Sequence, residues 1–334
     1  MISKMLVSVT MLLIFAGGMV TSTGSGLSVP DWPTTFGYQM FSFPLSDMVG
    51  GIFYEHGHRI IATAVGFITL IFSILIWIRE ERIWVRRLAL FAFLAICIQG
   101  LLGGLTVIYL LPTGISVGHA ILAQTYFCLT IVLAFLFSKN NQVHQQLSSG
   151  PLNIFRYFKF FTVLVFIQLI IAAIMRHTGS GLAVLDFPFF GGAVLSGFSE
   201  QTIVNINEVR LVYWLDPVFP WQIFIHSLHR LLGYILGIYG LGFLYFWKNY
   251  RIELHKICSQ IIILIFLILT QVVLGALSVL YLKPPIITSF HVVVGAGILG
   301  LSLFITLQLT PNKDWILIKK KNKIRKLIFG KAVF

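Results

Sequence analysis

Charge is the scarcest property of this chain, and negative charge the scarcest kind. Only 10% of its 334 residues are charged, with 11 acidic side chains against 24 basic ones. A water-soluble domain carries about 25% charged residues. This chain therefore cannot clothe a water-facing surface, and a soluble fold is excluded. Cysteine is nearly missing too. Cys97, Cys128 and Cys258 all fall within or at one end of long apolar runs, so no disulfide is expected. The basic excess, a net charge of +13, gathers at the ends of apolar runs and on a tail. Spread that way it is a topology signal, and no nucleic-acid partner is expected.

What the chain has is apolar length. Hydrophobic residues make up 57% of it, and its mean hydropathy is +0.92. Runs of about 20 residues, enough to span a bilayer, occur near 5–20, 57–78, 88–108, 115–137, 158–175, 221–247, 257–281 and 286–309. The expected fold is an all-α integral membrane protein with eight transmembrane helices. The first run is short and follows Lys4, as in a cleaved signal peptide. It leads into TGSGL just as 158–175 does, so it is expected to be retained as the first helix. With the N-terminus inside, the inner segments hold Lys4, Arg79, Arg82, Arg86, Arg87, Lys139, Arg156, Lys159, Lys248, Arg251, Lys256 and the basic tail at 319–326. The outer segments hold chiefly Arg176, Arg210 and Lys283. The bias of basic residues toward the inside puts both termini in the cytoplasm, with the tail against anionic membrane lipid.

An internal duplication organises these runs. Stretches 99–124 and 271–296 match at Gln99 and Gln271, Gly103 and Gly275, Tyr109 and Tyr281, Pro112 and Pro284, and His119 and His291, each pair 172 positions apart. EHGHR at 55–59 pairs with HSLHR at 226–230, at an offset of 171, and TGSGL at 23–27 recurs at 178–182, at an offset of 155. The order is the same in both halves, so the duplication covers most of the chain. Four helices per half is an even number. Both halves then insert the same way, as two parallel-repeat four-helix bundles. The expected organisation is a first half over 1–140, a polar cytoplasmic linker over 141–157, a second half over 158–312 and a basic cytoplasmic tail over 313–334. Two long loops, near 21–53 and 176–220, lie outside and carry Asp31-Trp32-Pro33 and Asp186-Phe187-Pro188. Long loops on one face of a compact bundle usually serve function, so the chemistry is expected near the outer face.

Four histidines are placed to carry it. His58 lies about two turns into the second helix and His119 in the first turns of the fourth; His229 and His291 repeat this in the second half. Each pair joins two helices that run the same way, so its two rings sit at similar depth. Two imidazoles facing each other from neighbouring helices at one depth suit a haem iron with two axial ligands. They suit zinc poorly, because tetrahedral zinc needs four ligands close together. A lone intramembrane histidine is most simply a hydrogen-bonded packing residue; two matched pairs favour ligands.

Glu55 stands three residues before His58, on the same helix face. Its counterpart is His226, three before His229. Only the first half thus offers a carboxylate beside its histidine, and a carboxylate can take a proton or stabilise a cation near a reacting centre. The simpler reading is an ion pair from Glu55 to Arg59 at i,i+4. Arg59 and Arg230 recur at equivalent positions, and an arginine fork suits carboxylates. Haem propionates and the loop residues Asp31 and Asp186 are both open as partners. Arg176 has no counterpart, since Thr21 stands there. His56, His144, His177 and His255 lack matched partners; His177, at the mouth of the second half, is a further residue that could touch a cofactor.

Taken together, eight helices in two halves, TGSGL followed by DWP, E-x-x-H-R on the second helix and single histidines on the fourth, sixth and eighth resemble the haem A synthase family. The resemblance runs over about 20–309. It implies an oxidoreductase of cytochrome oxidase cofactor biosynthesis in a bacterial-type cell (inner) membrane, oxidising the C8 methyl group of haem O to a formyl group. It implies that His58 and His119 flank the substrate haem O, that His229 and His291 ligate haem b, and that Glu55 is the catalytic carboxylate. Arg59, Arg230, Arg176 and His226 complete the set expected to contact the cofactors. Implied partners are haem O synthase and the cytochrome oxidase assembly machinery; a homo-oligomer is left open. Some members carry a cysteine pair in the first outer loop and many an Arg just before the first TGSGL-like motif. This chain has no cysteine in that loop and has Thr21 and Ser22 at the second place.

Two other classes compete. A di-haem b-type cytochrome passing electrons from quinol would use the same four histidines without modifying haem, and would give no reason for a carboxylate in one half alone. A transporter built from repeats favours broken helices near the bilayer midplane, whereas the polar groups here gather toward one face.

Overall fold

The computed structural model describes residues 2–138, 152–189, 199–249 and 257–310. The tail over 313–334, most of the expected linker, His144 and His255 lie outside the described residues. Nine α-helices occur among the described residues: α1 (Ile2–Ser22), α2 (Gly50–Arg79), α3 (Ile83–Ile108), α4 (Thr113–Leu136), α5 (Leu152–His177), α6 (Glu200–Val212), α7 (Pro220–Asn249), α8 (Cys258–Leu280) and α9 (Pro285–Gln308). All but α6 are long and apolar enough to cross a membrane, and the chain is a multi-pass membrane protein. Helices suit that solvent because every backbone hydrogen bond closes inside the segment. The three cysteines are free.

Two helices differ from the sequence expectation. Helix α2 starts seven residues before the apolar run at 57, and Glu55 and His56 in its first turns are buried. They are covered by a loop rather than by lipid. Helix α6 lies in the second long loop. Its Ser199 cap accepts a hydrogen bond from Thr202 N. Its Ile206 packs with Ala183, Val184, Val218 and Ile223 in a small core of its own.

The spanning helices pack as two rings of four. In one, α1 touches α2, α2 touches α3, α3 touches α4, and α4 closes back on α1; in the other the order is α5, α7, α8, α9. Among the described residues, diagonal helices do not pack against each other in either ring; α2 with α4 and α7 with α9 are the diagonals that carry the histidines. The rings share a wall in which α1 meets α9 and α4 meets both α5 and α9. Close approach there relies on small residues: Gly18 of α1 faces Ser289 of α9, and Gly300 of α9 faces Phe127 and Ile131 of α4.

The TGSGL motifs end helices α1 and α5. Thr23 Oγ1 donates to Met19 O and pairs with Ser25 Oγ, both at 2.7 Å. Thr178 Oγ1 does the same with Ile174 O and Ser180 Oγ, again at 2.7 Å. Gly24 and Gly179 have φ of 69° and 67°, the left-handed conformation that glycine adopts without a Cβ penalty at a helix end. The short turns before α4 and α9 also correspond. Leu110 and Leu111 have φ of 55° and 60°, Leu282 and Lys283 of 56° and 61°. Non-glycine residues there cost of order 1–3 kcal/mol each, so the surrounding packing holds them.

Candidate haem-ligating site

The long loops fold back over the ring ends, and the residues flanking the histidines fasten them. Glu55 is 3% exposed. Its Oε2 accepts from Val29 N at 2.8 Å, and its Oε1 accepts from Arg59 Nη2 at 2.6 Å. The i,i+4 ion pair therefore forms. Arg59 also donates to three loop carbonyls, Asp31 O at 2.7 Å, Thr34 O at 2.9 Å and Val29 O at 3.0 Å. The Asp31 carboxylate serves its own loop, accepting from Thr34 Oγ1, Phe36 N and Gly37 N. Desolvation works to raise the Asp31 pKa, but the hydrogen bonds from Gly37, Thr34 and Phe36 outweigh it and hold the group at about 2. His56 joins the same closure through Thr35 Oγ1 at 2.8 Å.

The second half repeats the fastening with different chemistry. His226 Nδ1 lies 3.2 Å from Val184 N, and its Nε2 lies 3.1 Å from Arg230 Nε. Val184 stands 155 positions after Val29, so position 226 anchors the same loop amide and the same arginine as position 55. A carboxylate accepts both donors at once, whereas a neutral imidazole has one acceptor nitrogen. Arg230 donates to Phe189 O at 2.9 Å and Val184 O at 2.8 Å, and Asp186 Oδ1 lies 3.7 Å away. Of the two kinds of partner open for these arginines, the loops take part of each guanidinium.

The histidines come from the diagonal helices. His229 of α7 and His291 of α9 face each other with ring centroids 6.4 Å apart. Metal–imidazole bonds of about 2 Å on either side of one ion, plus the ring radii, separate two centroids by about 6 Å. The pair therefore fits a metal held by two axial imidazoles, as haem iron is. His58 of α2 and His119 of α4 occupy the matching helices and lie within electrostatic reach of each other. Nδ1 of His58, His119 and His291 is buried without a hydrogen-bond partner, a costly state that a bound group reorganises. Among the described residues, no group of three or more His, Cys, Asp or Glu comes together. Donors in pairs, not clusters, suit a metal that brings its own equatorial ligands.

Glycines and glutamines set the rings. A Cβ on Gly103 would lie 3.2 Å from His119 Cε1, and one on Gly275 3.0 Å from His291 Cε1. Gln99 Nε2 donates to His119 O at 2.9 Å, and Gln271 Nε2 lies 3.4 Å from His291 Nε2. Gln168 Nε2 donates to His229 O at 2.8 Å and lies 3.1 Å from His229 Nδ1. Leu13 stands where Gln168 would fall in the first half. The role of Gln168 was not anticipated, although an amide inside an apolar run was the available signal. Among the described residues no hydrogen bond joins Glu55 to His58 or His119. Arg176 donates to Gly18 O and Ser22 Oγ of α1, both at 2.8 Å. The backbone carbonyl of His177 accepts from Thr113 Oγ1 at 3.4 Å. Both residues lie at the junction of the rings.

Eight spanning helices, histidines paired across diagonal helices and loops fastened over one end define a polytopic membrane protein of helix rings with histidines at their centres. The chain belongs to the COX15-CtaA family, described as cytochrome oxidase assembly protein, whose sequence model matches residues 2–303. It is similar to the heme A synthase of Shouchella clausii, 24% identical over 310 residues that cover 91% of this chain and 94% of that protein. It is likewise similar to those of Rickettsia canadensis, 26% identical over 315 residues (84% and 88%), and Halalkalibacterium halodurans, 25% identical over 314 residues (90% and 94%).

Proposed function

We propose that this chain is a haem A synthase, an oxidoreductase that converts the C8 methyl group of haem O to a formyl group. The observation that carries the reading is the histidine geometry: paired imidazoles on diagonal helices, 6.4 Å apart in the second ring, in a chain of this family. The two rings act as parallel repeats over 1–140 and 158–312, joined by a linker over 141–157, with both termini and the basic tail on the cytoplasmic side. His229 and His291 hold haem b, and His58 and His119 flank the substrate haem O. The b-type haem supplies one-electron transfer. Glu55, buried under the first loop, would stabilise positive charge at the methyl carbon or help water attack it, while an external electron acceptor takes the electrons that the oxidation releases. Arg59 holds that carboxylate in place, while the fastened loop shields it from bulk water. Haem O synthase as the supplier and cytochrome oxidase assembly as the destination are the partners this reading implies.

Co-expression with a haem O synthase, in a host lacking its own activity, is expected to yield a pigment with the mass and spectrum of haem A. Recovery of only haem B and unmodified haem O rejects the enzyme.

A di-haem cytochrome moving electrons from quinol is the second reading. One observation favours it: Glu55 has a structural task that His226 also performs, so the unmatched carboxylate does not by itself require catalysis. The same extraction separates the two readings.

A further inference from the structure

Lys283 and Arg210, at the loop end of the second ring, have no part in the chemistry above, and they stand beside Arg176, which the resemblance sets among the cofactor contacts. Lys283 stands where Leu111 stands in the first ring, 172 positions earlier. The two turns match: Leu111 N donates to Thr106 O at 2.6 Å and Lys283 N to Ser278 O at 2.7 Å. Each side chain also covers the same glycine of its TGSGL motif. A Cβ on Gly26 would lie 3.4 Å from a Leu111 methyl, and one on Gly181 3.8 Å from Lys283 Nζ. An ammonium group thus replaces a methyl group at one corner of an otherwise repeated turn.

Arg176 and Arg210 share that corner. Arg176 replaces Thr21. Its Nη2 is spent on α1, and its other nitrogens make no hydrogen bond among the described residues. Arg210, on helix α6, donates to the carbonyl oxygens of Leu182 and Asp216. Backbone carbonyls satisfy its donors, and the Asp216 carboxylate offsets part of its charge from beyond ion-pair distance. None of the three cations has a carboxylate within 4 Å among the described residues. Lys283 and Arg210 line one cleft with Gly179, Asp216 and Gln222, so two cations face one carboxylate there, and the charge of Arg176 also reaches Lys283. Desolvation lowers the Lys283 pKa, and the charges of Arg176 and Arg210 lower it further, a strain that a bound anion relieves. His291 lies on the helix that starts beside this cleft, six residues beyond Pro285, or about 9 Å deeper at 1.5 Å per residue.

We propose that Lys283 and Arg176, backed by the charge of Arg210, clamp the carboxylates of the porphyrin held between His229 and His291. The first ring, with Leu111 and Thr21 at these places, has no such clamp. The clamp rests on the haem reading above. It assigns the two rings different tasks: the second retains its porphyrin, and the first lets one enter and leave.

The test titrates full-length protein, made without haem, with haem and with haem dimethyl ester, in which the carboxylates are uncharged. The readout is the low-spin absorption of the second ring. Unmodified protein is expected to prefer haem over the ester by about tenfold, in line with charge-assisted hydrogen bonds. Lys283→Leu combined with Arg176→Thr, each the first ring's own residue, is expected to abolish that preference while ester binding stays unchanged. Lys283→Arg, which keeps the charge, is expected to keep the preference. If the double variant weakens haem and ester alike, or leaves the preference intact, the clamp is wrong although the haem reading stands. A preference that disappears when anionic lipid replaces zwitterionic lipid assigns the cations to headgroups and also overturns the clamp. No low-spin band with either porphyrin overturns the haem reading itself.

Discussion

The carboxylate of Glu55 accepts from both a loop amide and an arginine, whereas the imidazole of His226, placed against the equivalent amide and arginine, accepts from one of them at a time. This shared task offers a way to separate anchoring from chemistry. Glu55→His gives the first ring the second ring's own anchor. It is expected to leave bound haem and loop closure in place and to reduce product by at least about 100-fold, the lower range for losing a positioned proton-transfer group. Haem A formed at the normal rate would show Glu55 to be an anchor only. Gln168 is the other informative residue, because it orients His229 where Leu13 leaves His58 unheld. Gln168→Leu is expected to weaken haem binding in the second ring by about 10- to 100-fold, as losses of such supporting contacts do. A spectral titration measures it, and an unchanged affinity would remove Gln168 from the site. The histidine pairs were legible in the sequence because their offsets repeat. The partners of Arg59 were not, since three of them are carbonyls of a loop, which carry no side-chain signature.

At the scale of elements, the loops decide what reaches the ring centres. The TGSGL turns stop α1 and α5 and send the chain back across the ring end. Asp31 then ties the first loop to itself through Thr34, Phe36 and Gly37. Its folded pKa of about 2 lies below the ordinary 3.8, so its contribution is full above about pH 4 and is lost as pH falls toward 2. Limited proteolysis of the first loop in detergent is expected to accelerate across that window. Asp31→Asn is expected to be cut readily at every pH; if it resists like the parent, Asp31 does not hold the loop. The apolar runs announced the eight spanning helices but neither α6 nor the first turns of α2. Each is too polar or too short to read as a span, and each is held by loop contacts at a few residues, Ile206 and Arg210 of α6 and Glu55 and His56 of α2; hydropathy registers lipid, not loops.

At the scale of the whole molecule, the separate rings predict separable losses. His229→Ala or His291→Ala is expected to abolish the low-spin b-type signal while the first ring still takes up haem O. His119→Ala is expected to spare that signal and stop product formation. If either class of variant erases both, the rings do not work as independent sites. The duplication itself was legible, but the wall joining its halves was not, because contacts between α1, α4, α5 and α9 arise only when the rings meet. That wall has one more implication. Helices α4 and α9 touch across it, and they carry His119 and His291, one from each pair. Packed helix axes lie about 8–10 Å apart. On the haem reading proposed above, the two porphyrins would lie on either side of this wall, and electrons would pass between them through protein alone.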